Sequence, residues 1–445
     1  MSSRRFPAEE VVDHVVDRAI LVGVDRGDRA SDWGVEDSLA ELARLADTAG
    51  AEIVGTVVQK LDRPHPRTFI GAGKAEEVAD LARSTGATVV IFDDDLTPSQ
   101  QANLEDAIEK DKVKILDRTA LILDIFALHA TSREGKLQVG LAQLEYVLPR
   151  LRGMWGHLMA ERLGGGRGTR FGAGESQLES DRRLTRRRIA DLRRELKHVA
   201  DERRLQRKSR ARSGVFRVAL VGYTNAGKST LLRALTGADV YVADQLFATL
   251  DATTRTVDLA EGRKVTLTDT VGFINKLPHS LVEAFKSTLD EVREADLLLH
   301  VVDASHPMAA EQMAAVAEVL GELDAAAKPQ VRVYNKADLL SADERRMLMS
   351  RAAGSVLVSA ANGEGIEELR QRVATEASRG ASTMEMLFPY DRGDMVGYAH
   401  EHTQIVSEEH EVTGTRIVAQ VPVRLRERFA PFEADGSDPE RPTGA

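Results

Sequence analysis

Residues 222–229 read Gly-Tyr-Thr-Asn-Ala-Gly-Lys-Ser, and their flanks leave the chain little choice of local fold. Before them, Phe216-Arg217-Val218-Ala219-Leu220-Val221 is a mostly apolar run of strand length; after them, Thr230-Leu231-Leu232-Arg233-Ala234-Leu235 opens a helix. Strand, glycine-rich loop and helix start, in that order, turn successive backbone N–H groups inward at the positive end of the helix. Phosphate oxygens are held at such a place. Gly222 and Gly227 let the backbone approach closely, while Tyr223, Thr224, Asn225 and Ala226 complete the loop and Thr230 continues it into the helix. Lys228 neutralises the β/γ oxygens, and the Ser229 hydroxyl can ligate Mg²⁺. An ordinary glycine-rich turn is the alternative; strand and helix in register argue against it.

About a hundred residues on, Val331-Arg332-Val333-Tyr334 leads into Asn335-Lys336-Ala337-Asp338. A fixed carboxylate at Asp338 accepts from both the ring N–H and the exocyclic amine of guanine, and adenine presents neither in that arrangement. Asn335 is expected to support the purine edge, and the stem of Lys336 to pack over the base. Alone, this tetrapeptide is equally a surface turn; behind a phosphate loop it reads guanine. Ser355 to Ala360 supplies a last strand whose end, Ser359-Ala360, offers a backbone donor to the guanine oxygen.

Between the two lies Val265-Thr266-Leu267-Thr268-Asp269-Thr270-Val271-Gly272, a strand ending in D-x-x-G. Asp269 is expected to hold Mg²⁺ through water and the Gly272 N–H to sense the γ-phosphate, a loop that orders with triphosphate and relaxes after hydrolysis. A metal-binding switch threonine should precede it. Phe247-Ala248-Thr249-Leu250-Asp251 offers Thr249, and Thr253 and Thr254 compete. Phe273 follows Gly272 where Ras-type proteins carry a water-orienting glutamine. A phenyl ring cannot bond the attacking water, so another group or a bound partner must complete the site. Asn225 suggests one route, since the equivalent asparagine of some GTPases helps hold K⁺ in place of an arginine finger; the other reading is that it shapes the turn. The catalytic set is thus Lys228, Gly272, Asn225 and a switch threonine, for which Thr249 is favoured over Thr253 and Thr254 partly by the family resemblance given below.

The remaining bounds are broad. A chain of 445 residues is expected to form two to four domains, and with no cysteine it has neither disulfides nor thiolate metal sites. No apolar run approaches the ~20 residues that span a bilayer, and the segment Met1 to Glu10 lacks the apolar core of a signal peptide. A cytoplasmic, monomeric protein is the expectation. The net charge of −10 hides an asymmetry: Leu178 to Gly214 holds 14 Lys/Arg against six Asp/Glu, a local +8 that leaves −18 elsewhere. Such a segment suits a phosphate-bearing surface.

Alternating strand-like runs (19–24, 52–57, 88–92, 113–116) and helical stretches (34–49, 74–84, 98–110) predict an N-terminal α/β domain with a parallel sheet over 1–130. Its Gly71-Ala72-Gly73-Lys74 is half a phosphate loop and reads better as a turn leading into a helix. Leu137, Leu141, Leu144, Leu148 and Leu151, then Ile189, Leu192, Leu196 and Val199, predict an antiparallel helical hairpin over 131–214. Its joining loop, 163–175, is a glycine-rich basic tip carrying Arg167 and Arg170. A P-loop GTPase domain follows over 215–380, then a small α+β appendage over 381–432 and a disordered tail over 433–445.

These motifs resemble those of the HflX family of GTPases. The resemblance rests on Gly174-Glu175-Ser176-Gln177-Leu178-Glu179-Ser180-Asp181-Arg182-Arg183, on 222–230, on 247–251 and on Asp269 to Phe273, and it spans nearly the whole chain. Phe171 departs from that family's Arg-Gly-Pro-Gly run. The resemblance implies hydrolysis of GTP to GDP and phosphate, and binding to the large (50S) ribosomal subunit and its rRNA. It also implies that the hairpin reaches toward the peptidyl-transferase region, and a role in splitting or rescuing ribosomes stalled under stress. A GTPase of ribosome assembly or tRNA handling, and an RNA-binding scaffold with vestigial hydrolysis, are the competing readings.

Overall fold

A computed structural model describes residues 16–27, 33–108, 113–151, 174–211, 215–237, 245–259, 264–278, 281, 286–379 and 381–434. The chain divides into two compact units, Met1–Leu128 with Val139–Asp191, and His129–Gln138 with Leu192–Ala445.

In the first unit β1 (Arg18–Asp25), α1 (Val35–Thr48), β2 (Glu52–Lys60), α2 (Ala72–Thr85), β3 (Val89–Phe92), α3 (Pro98–Ala107) and β4 (Lys114–Asp117) alternate. The sheet is wholly parallel, ordered β2-β1-β3-β4. Its central strands are buried without alternation, Ala19 to Val24 in β1 and all of β3, as strands of a parallel sheet covered on both faces are. Thr97 and Gln100 form a capping box that starts α3 at Pro98. Gly71 is the residue that leads into α2, its N–H donating to Gln59 Oε1 at 2.9 Å. The sequence pattern had no place for α4 (Arg118–His129). Leu121, Ile122, Leu123, Ile125 and Phe126 are all buried, so this helix carries no amphipathic stripe to read.

Of the expected hairpin, the structure describes α5 (Arg133–Val147), a 3₁₀ turn at Leu148–Arg150, and the 38-residue α6 (Gly174–Ala211). The first helix is shorter than its leucine spacing predicts, because Pro149 cannot continue the ladder. Arg150 there bonds Gln101 Oε1 (3.0 Å) and the Leu96 carbonyl (2.6 Å), beside the Tyr146 hydroxyl that donates to Asp117 (2.9 Å). The tip loop lies outside the described residues, apart from Gly174 and Glu175, which open α6.

The second unit holds two sheets. The larger joins β5 (Phe216–Gly222), β6 (Thr253–Asp258), β7 (Lys264–Asp269), β8 (Leu297–Asp303), β9 (Gln330–Asn335) and β10 (Val356–Leu357) in the order β10-β9-β8-β5-β7-β6. Only β6 runs antiparallel. Helices α7 (Lys228–Thr236), α8 (Lys286–Glu294), α9 (Ala309–Glu322) and α10 (Ala342–Arg351) lie between these strands in the chain, and α11 (Ile366–Ser378) follows β10. The chain builds outward from β5 in both directions, and a sheet of this kind receives ligands at the carboxyl ends of strands beside such a reversal. Val218, Leu220, Leu231, Leu232, Leu299 and Val333 sit in the core beneath.

The smaller sheet is antiparallel, β11 (Ser382–Phe388), β12 (Gln404–Glu411) and β13 (Gly414–Val421), ordered β11-β13-β12. With α12 (Gly393–His402) and α13 (Val423–Phe429) it encloses Met384, Met386, Phe388, Ile417 and Phe429. The edge strand β12 was not foreseen, since its Ser-Glu-Glu-His-Glu run is the charged kind that blunts an edge. The tail also needs correction at its first two residues. Glu433 bridges Met386, and the Ala434 N–H donates to the Glu385 carbonyl at 2.9 Å, so strand β11 holds both; 435–445 lie outside the described residues.

Candidate nucleotide site

The phosphate loop sits at the carboxyl end of β5 and runs into α7, as its sequence requires. Gly227 takes φ +89°, and a Cβ there would fall 2.3 Å from Asn335 Nδ2, so only glycine fits. Lys228 is buried, its Nζ donating to the carbonyls of Tyr223 (2.9 Å) and Gly222 (3.2 Å). Burial pulls its pKa down to about 8, against the opposing attraction of Asp269.

Three oxygens meet at the foot of this loop. Ser229 Oγ lies 2.7 Å from Thr249 Oγ1 and donates to Asp269 Oδ2 at 2.5 Å. Burial raises the pKa of the fully enclosed Asp269, with Lys228 and then the Ser229 and Thr249 hydroxyls working the other way. Asp269 Oδ1 is buried without a hydrogen-bond partner. Two hydroxyls beside a carboxylate with a spare oxygen are hard, oxygen-only ligands that fit Mg²⁺, which retains waters of its own. Of the competing threonines, Thr254 is engaged elsewhere, 2.9 Å from Thr268 across the β6–β7 ladder, and Thr253 lies within β6. Thr224, Asn225, Lys228, Thr230, Ala248, Thr270 and Gly272 face the same open cleft.

The loop after Asp269 is fastened to the phosphate loop. The Phe273 N–H donates to the Gly222 carbonyl (3.1 Å), and the Thr224 N–H to the Phe273 carbonyl (2.7 Å). A Cβ on Gly272 would stand 2.7 Å from Thr224 Cα and 3.1 Å from Lys228 Nζ. The Phe273 ring is completely buried, so it takes no part in the cleft, and Tyr223 Oη accepts from the Asn275 N–H at 2.7 Å.

Several expected contacts move. The side chains of Tyr223, Phe247, Leu250 and Val271 are buried, so these residues shape the loops from beneath and have only backbone to offer a nucleotide. Asn335 donates from Nδ2 to the Ala226 carbonyl (2.9 Å) and accepts at Oδ1 from the Ala360 N–H (3.0 Å). It is first a brace between the phosphate loop and the 359–360 loop. A guanine oxygen at that loop would compete with Asn335 for the Ala360 N–H, since the Ser359 N–H already serves the Glu364 carbonyl (2.9 Å). Asp338 is exposed, one oxygen held by the Ser359 hydroxyl at 2.5 Å. Lys336, in a left-handed conformation beside buried Ala337, pairs with Asp303 at 2.7 Å.

Asp251 departs furthest from expectation. Its carboxylate meets no loop of the cleft; it accepts from Thr131 and Ser132, ahead of α5. Burial raises its pKa, but the Ser132 and Thr131 hydroxyls and N–H groups outweigh that and leave it below the ordinary value. No local rule could have found these partners, which lie about 120 positions upstream.

Family models match along the chain: GTP-binding GTPase N-terminal over 36–127, GTP-binding GTPase Middle Region over 129–210, and 50S ribosome-binding GTPase over 217–336. The GTPase HflX of Caldanaerobacter subterraneus subsp. tengcongensis is 47% identical over 416 residues, 94% of each chain. The chain belongs to the HflX family of GTPases. The GTPase HflX of Escherichia coli K12 is 45% identical over 386 residues, covering 86% of this chain and 89% of that one. A GTP-binding protein from Sulfolobus solfataricus, crystallised with GDP, aligns with 82% of this HflX-family chain and 99% of its own. Its TM-score of 0.42 and 24% identity are too low to carry the site.

Proposed function

We propose that this chain is a Mg²⁺-dependent GTPase of the cytoplasm whose GTP-bound form engages the 50S subunit and leaves after hydrolysis, splitting or rescuing stalled ribosomes. The observation that carries the chemistry is the meeting of Ser229, Thr249 and Asp269 at the foot of the phosphate loop, with Asp338 at the same edge of the sheet. Ser229 and Thr249 would hold Mg²⁺ directly and Asp269 through water. When bound, the ion would supply neutralisation of phosphate charge.

Lys228 exchanges its two carbonyl partners for phosphate oxygens, and the Gly272 N–H addresses the γ-phosphate from the loop fastened to Thr224. Water attacks in line, so positioning and charge stabilisation do the catalysis. With Phe273 buried, its ring cannot address the attacking water; Asn225 would hold K⁺ beside the phosphates, and equal turnover in K⁺ and Na⁺ would leave it the residue that shapes the turn, at φ +58°. Support for the ribosomal partner comes from the description of the third family model and from the exposed Arg183, Arg186, Arg187, Arg188, Arg193 and Arg194 of α6.

Turnover of GTP with and without purified 50S subunits, in K⁺ and in Na⁺, tests the whole reading. Strong stimulation by subunits and faster turnover in K⁺ are expected. Absence of turnover under every condition would favour a scaffold in which nucleotide serves only the fold, the reading that the buried Phe273 supports.

A further inference from the structure

Two positions after Thr249, the chain is tied to the start of a helix. Asp251 Oδ2 accepts from the Thr131 N–H (3.0 Å), Thr131 Oγ1 (2.7 Å) and the Ser132 N–H (2.7 Å), and Oδ1 accepts from Ser132 Oγ. That hydroxyl accepts in turn from the Gly135 N–H at 2.8 Å. The N–H groups at the start of a helix have no partner within it, and they sit at its positive end, so an ionised carboxylate suits them twice over. Charge-assisted bonds of this kind are about twice as strong as neutral ones.

Helices ordinarily take such a cap from their own flanking residue. This one takes its local cap from Ser132, and the loop that carries the switch threonine adds a second acceptor, Asp251, that holds the capping residue itself. Gly135 makes room for it, because a Cβ there would lie 2.5 Å from Asp251 Oδ1. Leu250, between Thr249 and Asp251, is buried, so both ends of the tripeptide are fixed through a seated middle. All these residues belong to one compact unit, whose boundary with the other falls within α5, after Gln138.

We propose that Asp251 is the positioning residue for Thr249, a latch that couples the triphosphate-sensing loop to the start of α5. With the latch closed, the segment 247–251 is held where Thr249 reaches Ser229. Coupling between two equilibria is reciprocal, so whatever displaces the start of α5 also weakens the grip on triphosphate. The latch rests on the switch reading given above.

The test measures binding of GDP without Mg²⁺, and of guanosine 5′-(β,γ-imido)triphosphate with Mg²⁺, to the full chain and to Asp251→Ala, Asp251→Asn, Ser132→Ala and Gly135→Ala. Affinity for the triphosphate analogue is expected to fall about 5- to 150-fold in Asp251→Ala, the usual span of such couplings. Asp251→Asn should lie between it and wild type, and GDP should bind alike throughout, since Thr249 answers only to metal and γ-phosphate. Adding Ser132→Ala to Asp251→Ala should lose less than the sum of the two. Gly135→Ala separates latch from fold: alanine is the better helix former, so a purely structural role leaves triphosphate affinity intact, whereas a displaced latch lowers it. Equal losses for both nucleotides, or none, would overturn the latch. A wild-type chain with no magnesium-dependent grip on triphosphate would instead sink the switch reading beneath it.

Discussion

Asp338 and His300 show how one side chain answers to different surroundings. Asp338 is exposed, and the Ser359 hydroxyl orients it, so its carboxylate is presented at little cost. Replacing it by asparagine inverts one acceptor into a donor. Asp338→Asn is expected to lose about 2–5 kcal/mol of GTP binding and to favour xanthosine triphosphate, as read by competition titration. His300 is enclosed in β8, its Nε2 without a hydrogen-bond partner. Burial first, then repulsion by Arg332 and Lys228, takes its pKa from 6.5 down to about 4.

The sign of the resulting pH dependence follows. Above pH 6.5 the ring is neutral in both states and contributes nothing; below it the unfolded chain binds a proton that the native chain refuses. Stability therefore falls with pH, by ~2 kcal/mol between pH 7 and pH 5. Unfolding free energies from urea titrations at the two pH values should differ by that much more in wild type than in His300→Gln.

Among the elements, α6 joins two faces. Ile189 and Leu192 are buried while Arg183, Arg186 and Arg187 are exposed, so the apolar spacing and the charge excess were both legible along the chain. Arg182 is half-buried and better left out of a charge test. Reversing Arg183, Arg186 and Arg187 to glutamate should weaken subunit binding and lower the slope of log affinity against log salt by roughly one per phosphate contact removed. Sedimentation across a salt series reads both, and a slope equal to wild type would return these arginines to an ordinary solvated face. Other elements were hidden for physical reasons. Helix α4 is buried over most of its residues, with no regular polar face to mark it, and β12 is polar because it is an edge.

For the molecule as a whole, a site assembled from the ends of β5, β7 and β9 and the loop after β10 exists only in the folded chain. Ligand that binds the native state alone stabilises it in proportion to occupancy, about 2.7 kcal/mol at a hundredfold excess over Kd. GTP with Mg²⁺ should raise the thermal midpoint of the second unit's transition in calorimetry, and ATP should not. Equal shifts with both would remove the guanine assignment. No helix among the described residues is long and apolar enough to cross a membrane.

The phosphate loop, the D-x-x-G turn and the N-K-x-D segment could be read in one dimension because each completes its chemistry within eight residues. Strand and helix order was readable for the same reason, from local periodicity. What no linear reading could supply are the pairings across distance: Asn335 bracing Ala226, Asp251 accepting from Thr131 and Ser132 some 120 positions upstream, and Asp338 held by the Ser359 hydroxyl. Those depend on which segments the fold made neighbours, since a polar group drawn out of water takes its partner from whatever the tertiary structure has set beside it.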